Sequence, residues 1–122
     1  MESGLRKLGV ALIGAGPFGA KRARAVASNR QCRLVVVVDS IPERAQGVAR
    51  EFGCEAEADW QSAIGRSDVD AVIVSTPTQA MVEISLLAVQ SGKHTLAEKP
   101  VVRAAEEARP LVEAARAAGV HL

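Results

Sequence analysis

The stretch Leu8-Gly9-Val10-Ala11-Leu12-Ile13-Gly14-Ala15-Gly16-Pro17-Phe18-Gly19 decides the fold. Its first half is an aliphatic run of strand length, its second half a GxGxxG turn, and the residues from Pro17 to Ser28 have helical spacing. In that setting each glycine has a physical task. Gly14 permits a tight turn, Gly16 lets the backbone approach a pyrophosphate with no Cβ in the way, and Gly19 lets the helix pack close to the strand. The unpaired N–H groups and dipole of the helix then face a phosphate. A glycine turn needed only for packing is the simpler alternative, and the residues downstream weigh against it.

Outward from this turn, short β-branched runs alternate with longer stretches of helical spacing, the pattern of βαβ units and a parallel sheet. Strands are expected at Leu8–Ile13, Leu34–Asp39, Ala71–Ser75 and His94–Ala97, with a final short one beginning at Val120. Helices are expected at Pro17–Ser28, Pro42–Phe52, Asp59–Ile64, Thr78–Gln90 and Ala104–Ala118. Gly53, Gly65, Gly92 and Gly119 each follow a helical stretch where a left-handed residue is wanted, and Pro17 and Pro42 lie near first turns, where a missing N–H costs little. Pro110 contradicts the last helix; an interior proline predicts a kink there or a start near Arg109. The expected architecture is α/β, a doubly wound parallel sheet in one domain covering residues 1–122.

Composition narrows the function. The chain has 122 residues, with 15 Lys and Arg against 14 Asp and Glu, a net charge of +1. Such balance does not suit a protein whose affinity comes from neutralising many phosphates, so no nucleic-acid partner is expected. No apolar run approaches the roughly 20 residues that span a bilayer, so no membrane partner is expected either. Cys32 and Cys54 form no CxxC and no cluster with His94 and His121, which gives a metal site no support and suits reduced cysteines in a cytoplasmic protein.

Twenty residues after Gly19, at a strand end, stands Asp39, placed to accept hydrogen bonds from ribose hydroxyls and to repel a 2′-phosphate. This favours NAD over NADP. Ser40 and the nearby Arg44 argue the other way, and Asp39 also reads as a turn residue at the entrance of the helix beginning at Pro42. Two more segments fall at strand ends that share a rim in open α/β sheets: Ser75-Thr76-Pro77-Thr78 and Glu98-Lys99-Pro100. Lys99 is the only amine among them; a partly desolvated cleft would lower a lysine's pKa toward catalytic use, but spacing alone favours a solvated loop lysine. His94 and His121 have no evident partner, Met81 reads as a packing residue, and Trp60 reads as a core anchor of the short third helix.

Together, Gly14 to Gly19, Asp39, Ser75-Thr76-Pro77 and above all Gly92-Lys93-His94-Thr95-Leu96-Ala97-Glu98-Lys99-Pro100 resemble the Gfo/Idh/MocA oxidoreductases over Leu8 to Leu122. The resemblance implies a Rossmann-type domain that binds a nicotinamide cofactor, belonging to an enzyme that transfers hydride to or from a sugar, cyclitol or related polyol. It implies Lys99 as the catalytic group beside nicotinamide and substrate. The cofactor-binding set is then Gly14, Gly16, Pro17, Phe18, Gly19, Asp39, Ser40, Arg44, Thr76, Pro77, Glu98 and Lys99. Where many members of the family carry a histidine after the Thr-Pro pair, this chain has Met81. The family's second, substrate-binding domain is absent from these residues, so the chain by itself is expected to turn over little. Oligomerisation stays open. A non-catalytic dinucleotide-binding module is the alternative function, and a methyltransferase of similar fold is opposed by the complete GxGxxG and by Glu98-Lys99-Pro100.

Overall fold

The computed structural model describes residues 6–98 and 105–122. Among them five strands and five helices run in the order β1 (Leu8–Ile13), α1 (Pro17–Ala27), β2 (Cys32–Val38), α2 (Pro42–Phe52), β3 (Glu55–Glu57), α3 (Trp60–Ile64), β4 (Ala71–Val74), α4 (Thr78–Gln90), β5 (His94–Ala97), α5 (Ala105–Ala118). All pairings are parallel, in the spatial order β3-β2-β1-β4-β5. The order reverses between β1 and β4, the switch point where α/β sheets open a crevice at their carboxyl ends.

Period-two alternation sends neighbouring residues of one strand to opposite faces of the sheet. Val10, Leu12 and Ile73 pack with Ala23 and Val26 of α1 and with Ala45 and Val48 of α2. Ala11, Ile13, Val72 and Val74 pack with Ala63 and Ile64 of α3 and with Met81, Ile84 and Ala88 of α4. In β2 the register against β1 slips between Val10 and Ala11, so Leu34 pairs with Val10 and Val36 with Ala11. Val35 is left without a partner, and the alternation resumes beyond it with Val37 and Val38 on opposite faces.

The structure corrects three expectations and removes one of two alternatives for a fourth. No strand begins at Val120; residues 120–122 make a single ladder-like bond, from Thr95 N–H to the His121 carbonyl at 3.0 Å. A strand that was not expected, β3, has the sequence Glu-Ala-Glu, whose polarity hides it; it exists because Val36 to Val38 offer it an edge to pair with. Gly65 is right-handed at φ −77°, because its N–H still makes the helical bond to the Gln61 carbonyl at 3.1 Å, and only the next N–H, of Arg66, tightens onto the Ala63 carbonyl at 3.3 Å. Gly53, Gly92 and Gly119 do take positive φ. Helix α5 runs through Pro110 instead of starting near it, held by the buried Leu111 and Ala115 that pack its far side. Packing of this face outweighs the local cost of the proline.

Candidate functional site

A cleft of about 510 Å³ lies over the carboxyl ends of the strands. Ile13, Gly14 and Gly16 line it from the β1–α1 turn; Val38, Asp39, Ser40 and Arg44 from β2 and α2; Ala58 and Trp60 from the approach to α3; Ser75, Thr76, Pro77, Ala80 and Ile84 from β4 and α4. Seven residues expected at a cofactor site, Gly14, Gly16, Asp39, Ser40, Arg44, Thr76 and Pro77, thus share one wall system although they come from three separate turns.

The three motif glycines stand in different surroundings. Gly14 has φ +101°, and a Cβ there would lie 2.5 Å from the carbonyl oxygen of Ser75, across the switch point. A Cβ on Gly19 would lie 2.0 Å from the Gly14 carbonyl oxygen, so helix and turn touch backbone to backbone. Gly16 differs. A Cβ there would meet only Arg44 Nη1, at 4.0 Å, and its φ of −73° suits any residue. Packing demands Gly14 and Gly19, whereas no contact of the described residues demands Gly16.

The carboxylate of Asp39 is already engaged on both sides. Oδ2 accepts the N–H of Ala15 at 2.8 Å and Oδ1 that of Ile41 at 2.8 Å, which ties the glycine turn to the entrance of α2. Each oxygen keeps a further lone pair for a ligand hydroxyl. Across the cleft the hydroxyls of Ser75 and Thr76 are buried and have no hydrogen-bond partner among the described residues. Buried hydroxyls are ordinarily satisfied, so their placement on a cleft wall fits a polar ligand group there. The glycine turn, the orphan hydroxyls and Asp39 together suit a dinucleotide.

Pro17, Phe18, Gly19 and Glu98 stand outside the lining. Pro17 opens α1. The Phe18 ring is 64% exposed, with Lys21 Nζ 5.5 Å from its centroid. Glu98 grips Arg22 of α1, with Oε2 2.5 Å from Nε and Oε1 2.9 Å from Nη2, and this pairing raises the Arg22 pKa first through the hydrogen bond and then through the charge. Lys99 lies outside the described residues, as does Pro100. Met81 is buried in the core. His94 and His121 meet each other, the His121 N–H donating to His94 Nδ1 at 3.1 Å with ring centroids 5.1 Å apart, away from the cleft. Among the described residues no group of three or more His, Cys, Asp or Glu is placed to hold a metal, and no helix is long and apolar enough to cross a membrane.

Sequence reasoning missed Ala58, Ala80 and Ile84 and the second role of Trp60. The indole is half-buried: it packs against the core, as expected, and also lines the cleft. A one-turn helix has a single inner side, and Ala63 and Ile64 occupy it. Nothing in the local sequence signals this.

Residues 8–122 match the model of the GFO_IDH_MocA oxidoreductase family, NAD-binding Rossmann fold. The chain belongs to the Gfo/Idh/MocA family. Relatives within this family include the 2,7-anhydro-N-acetylneuraminate hydratase of Mediterraneibacter gnavus, 33% identical over 95% of this chain and 30% of its own length. The inositol 2-dehydrogenase of Rhizobium meliloti is 36% identical over 80% of this chain and 29% of its own length. Among solved structures, GenD2 from gentamicin A biosynthesis in complex with NAD superposes with a TM-score of 0.91 at 30% identity, covering 94% of this chain and 33% of that one. A 3-ketoreductase from Actinomadura kijaniata in complex with NADP gives 0.89 at 28% identity, covering 94% and 37%. This chain therefore spans about a third of the length of the curated relatives it matches.

Proposed function

We propose that this chain is the cofactor-binding part of an oxidoreductase that transfers hydride between NAD and a carbinol carbon of a sugar, cyclitol or related polyol. The observation that carries the reading is Gly16: the fold leaves room for a side chain there, and the residue is glycine at the one place where a pyrophosphate must come against the backbone. The likeness to inositol and levoglucosan dehydrogenases supports the substrate class.

When bound, the nicotinamide ring accepts or gives up the hydride. This chain's residues bind and orient. The amides at the start of α1 face the pyrophosphate, Asp39 receives the ribose hydroxyls, and the Ser75 and Thr76 hydroxyls find partners on the cofactor. Lys99 takes the proton from the reacting hydroxyl during oxidation and returns it during reduction. The carboxylate at Asp39 favours NAD; Ser40 and Arg44, on the same wall, leave NADP as the weaker ligand. Substrate-selecting groups belong outside this stretch, and the compartment that suits the chain is the cytoplasm.

Calorimetric titration with NADH, NADPH and S-adenosylmethionine tests the reading. NADH is expected to bind best and S-adenosylmethionine not at all. Gly16→Ala should weaken NADH while leaving the thermal midpoint unchanged or slightly raised. Absence of binding by either nicotinamide nucleotide would overturn the proposal.

A further inference from the structure

The residues that follow α5 are joined to β5 through two histidines. Gly119, at φ +69°, turns the chain out of α5, and the Val120 N–H returns to the Ala115 carbonyl at 3.1 Å. Residues 120–122 are thereby brought beside β5, which among the described residues is the edge of the sheet. Two hydrogen bonds hold them there. The Thr95 N–H donates to the His121 carbonyl at 3.0 Å, and the His121 N–H donates to His94 Nδ1 at 3.1 Å. The first is an ordinary main-chain bond. The second ends on a ring nitrogen that changes from acceptor to donor when it takes up a proton.

An Nδ1 that accepts an N–H carries no proton of its own, so this bond exists only with a neutral His94 whose proton is on Nε2. Protonation sets one N–H against another. The two rings, with centroids 5.1 Å apart and planes 30° from parallel, also become like charges once both are protonated. Both effects have the same sign: the contact is favoured where the histidines are neutral and is lost as pH falls. The charged groups on β5 and on the elements packed around it are engaged elsewhere or bond to neither ring. Asp70, before β4, receives Arg6 and the Gly9 N–H. Lys93 donates to the Arg66 and Val69 carbonyls, and Glu98 pairs with Arg22. Among the described residues, Glu83 of α4 and Arg116 of α5 bond to neither imidazole.

We infer that the His94–His121 contact is a pH-sensitive latch, which holds residues 120–122 on β5 while both rings are neutral and releases them on protonation. Release frees the Thr95 N–H on the open side of β5, where another extended segment can pair. The sheet itself stays closed, because β5 keeps its pairing with β4. This inference is independent of any cofactor.

Nuclear magnetic resonance of the full chain, taken from about pH 8 to about pH 5 across the usual histidine range, tests the latch. Ring nitrogen shifts should show His94 with its proton on Nε2 at the alkaline end. Amide protection at His121 and Thr95, corrected for intrinsic exchange, should fall together as His94 titrates, by about tenfold per pH unit at the acid end. Amides of β1, paired on both sides, should not follow this curve. His94→Asn offers an acceptor oxygen near the place of Nδ1 and does not titrate, so it should keep His121 protected throughout. His121→Ala removes the second ring but keeps the main-chain donor and should retain the loss, which assigns it to His94. The latch is overturned if His94 carries its proton on Nδ1 at the alkaline end, or if protection of His121 persists to the acid end. An equal loss of protection in a folded His94→Asn overturns it as well; should that variant not fold, the wild-type titration decides alone.

Discussion

Arg22 in α1 and Glu98 at the exit of β5, 76 positions apart in sequence, join through two parallel contacts of 2.5 and 2.9 Å. The Glu98 N–H also donates to the Val74 carbonyl at 2.9 Å, so the residue before Lys99 is fixed through both main chain and side chain. A guanidinium fork matches a carboxylate in a way an ammonium does not. Arg22→Lys is therefore expected to lower the thermal midpoint almost as much as Arg22→Ala. In a double-mutant cycle with Glu98→Gln, the coupling should be present at low salt and shrink at high salt. Strict additivity at low salt would show that the pair does not hold the β5 exit.

Asp39 joins the glycine turn to α2 by receiving two N–H groups, from Ala15 and Ile41. In Asp39→Asn the amide nitrogen must face one of these donors. Stability should fall by about 1.5–3 kcal/mol in urea denaturation, the value of a hydrogen bond to a charged acceptor, and NADH affinity should fall with it. A variant that loses affinity at unchanged stability would show that Asp39 acts only on the ligand.

Arg66 gathers three carboxylates: Asp68 at 2.9 Å, Glu55 at 3.0 Å and Glu57 at 3.1 Å. Its hydrogen bonds and charge hold Asp68 and Glu55 below the usual carboxylate range. A depressed folded-state pKa means that the unfolded chain binds the proton more readily. The stabilisation is complete above the unfolded-state pKa of about 4 and is lost as pH falls through the lower folded-state values. The urea midpoint should thus drop on acidification below about pH 4, and Arg66→Leu should flatten that part of the profile. An unchanged acid limb in Arg66→Leu would contradict this.

Pro110 lies inside α5 and is exposed, with Leu111 and Ala115 on the buried side. Pro110→Ala restores the missing N–H and removes the ring from the preceding turn. A gain of about 1–3 kcal/mol is expected in the urea midpoint, part of the full propensity difference being offset by the freer unfolded chain. A loss of stability would mean that the proline sets a bend that the packing of α5 on α4 requires.

The helices, four of the five strands and the glycine turn were legible because each rests on a local rule. Short, largely apolar runs between helical stretches mark β1, β2, β4 and β5, a proline opens α1 and α2, and positive-φ glycines close α2, α4 and the end of α5. Gly14 and Gly19 were readable for the same reason, since the turn and the close helix approach are short-range consequences of the missing Cβ. The family resemblance drew on the same stretches.

What the tertiary structure alone decided depends on partners far along the chain. Glu55–Glu57 is a strand only because β2 presents an open edge beside it, and the His94–His121 contact arises only because the chain returns after α5. Glu98 finds Arg22 instead of lining the cleft, and Trp60 reaches the cleft wall from its place against the core beside Ala63 and Ile64. Local pattern, set by backbone sterics and hydrophobic period, determined the elements and the chemistry of the turn. The assembly of the cleft wall was decided by which side chains the sheet order brought together, and no short window of sequence contains that information.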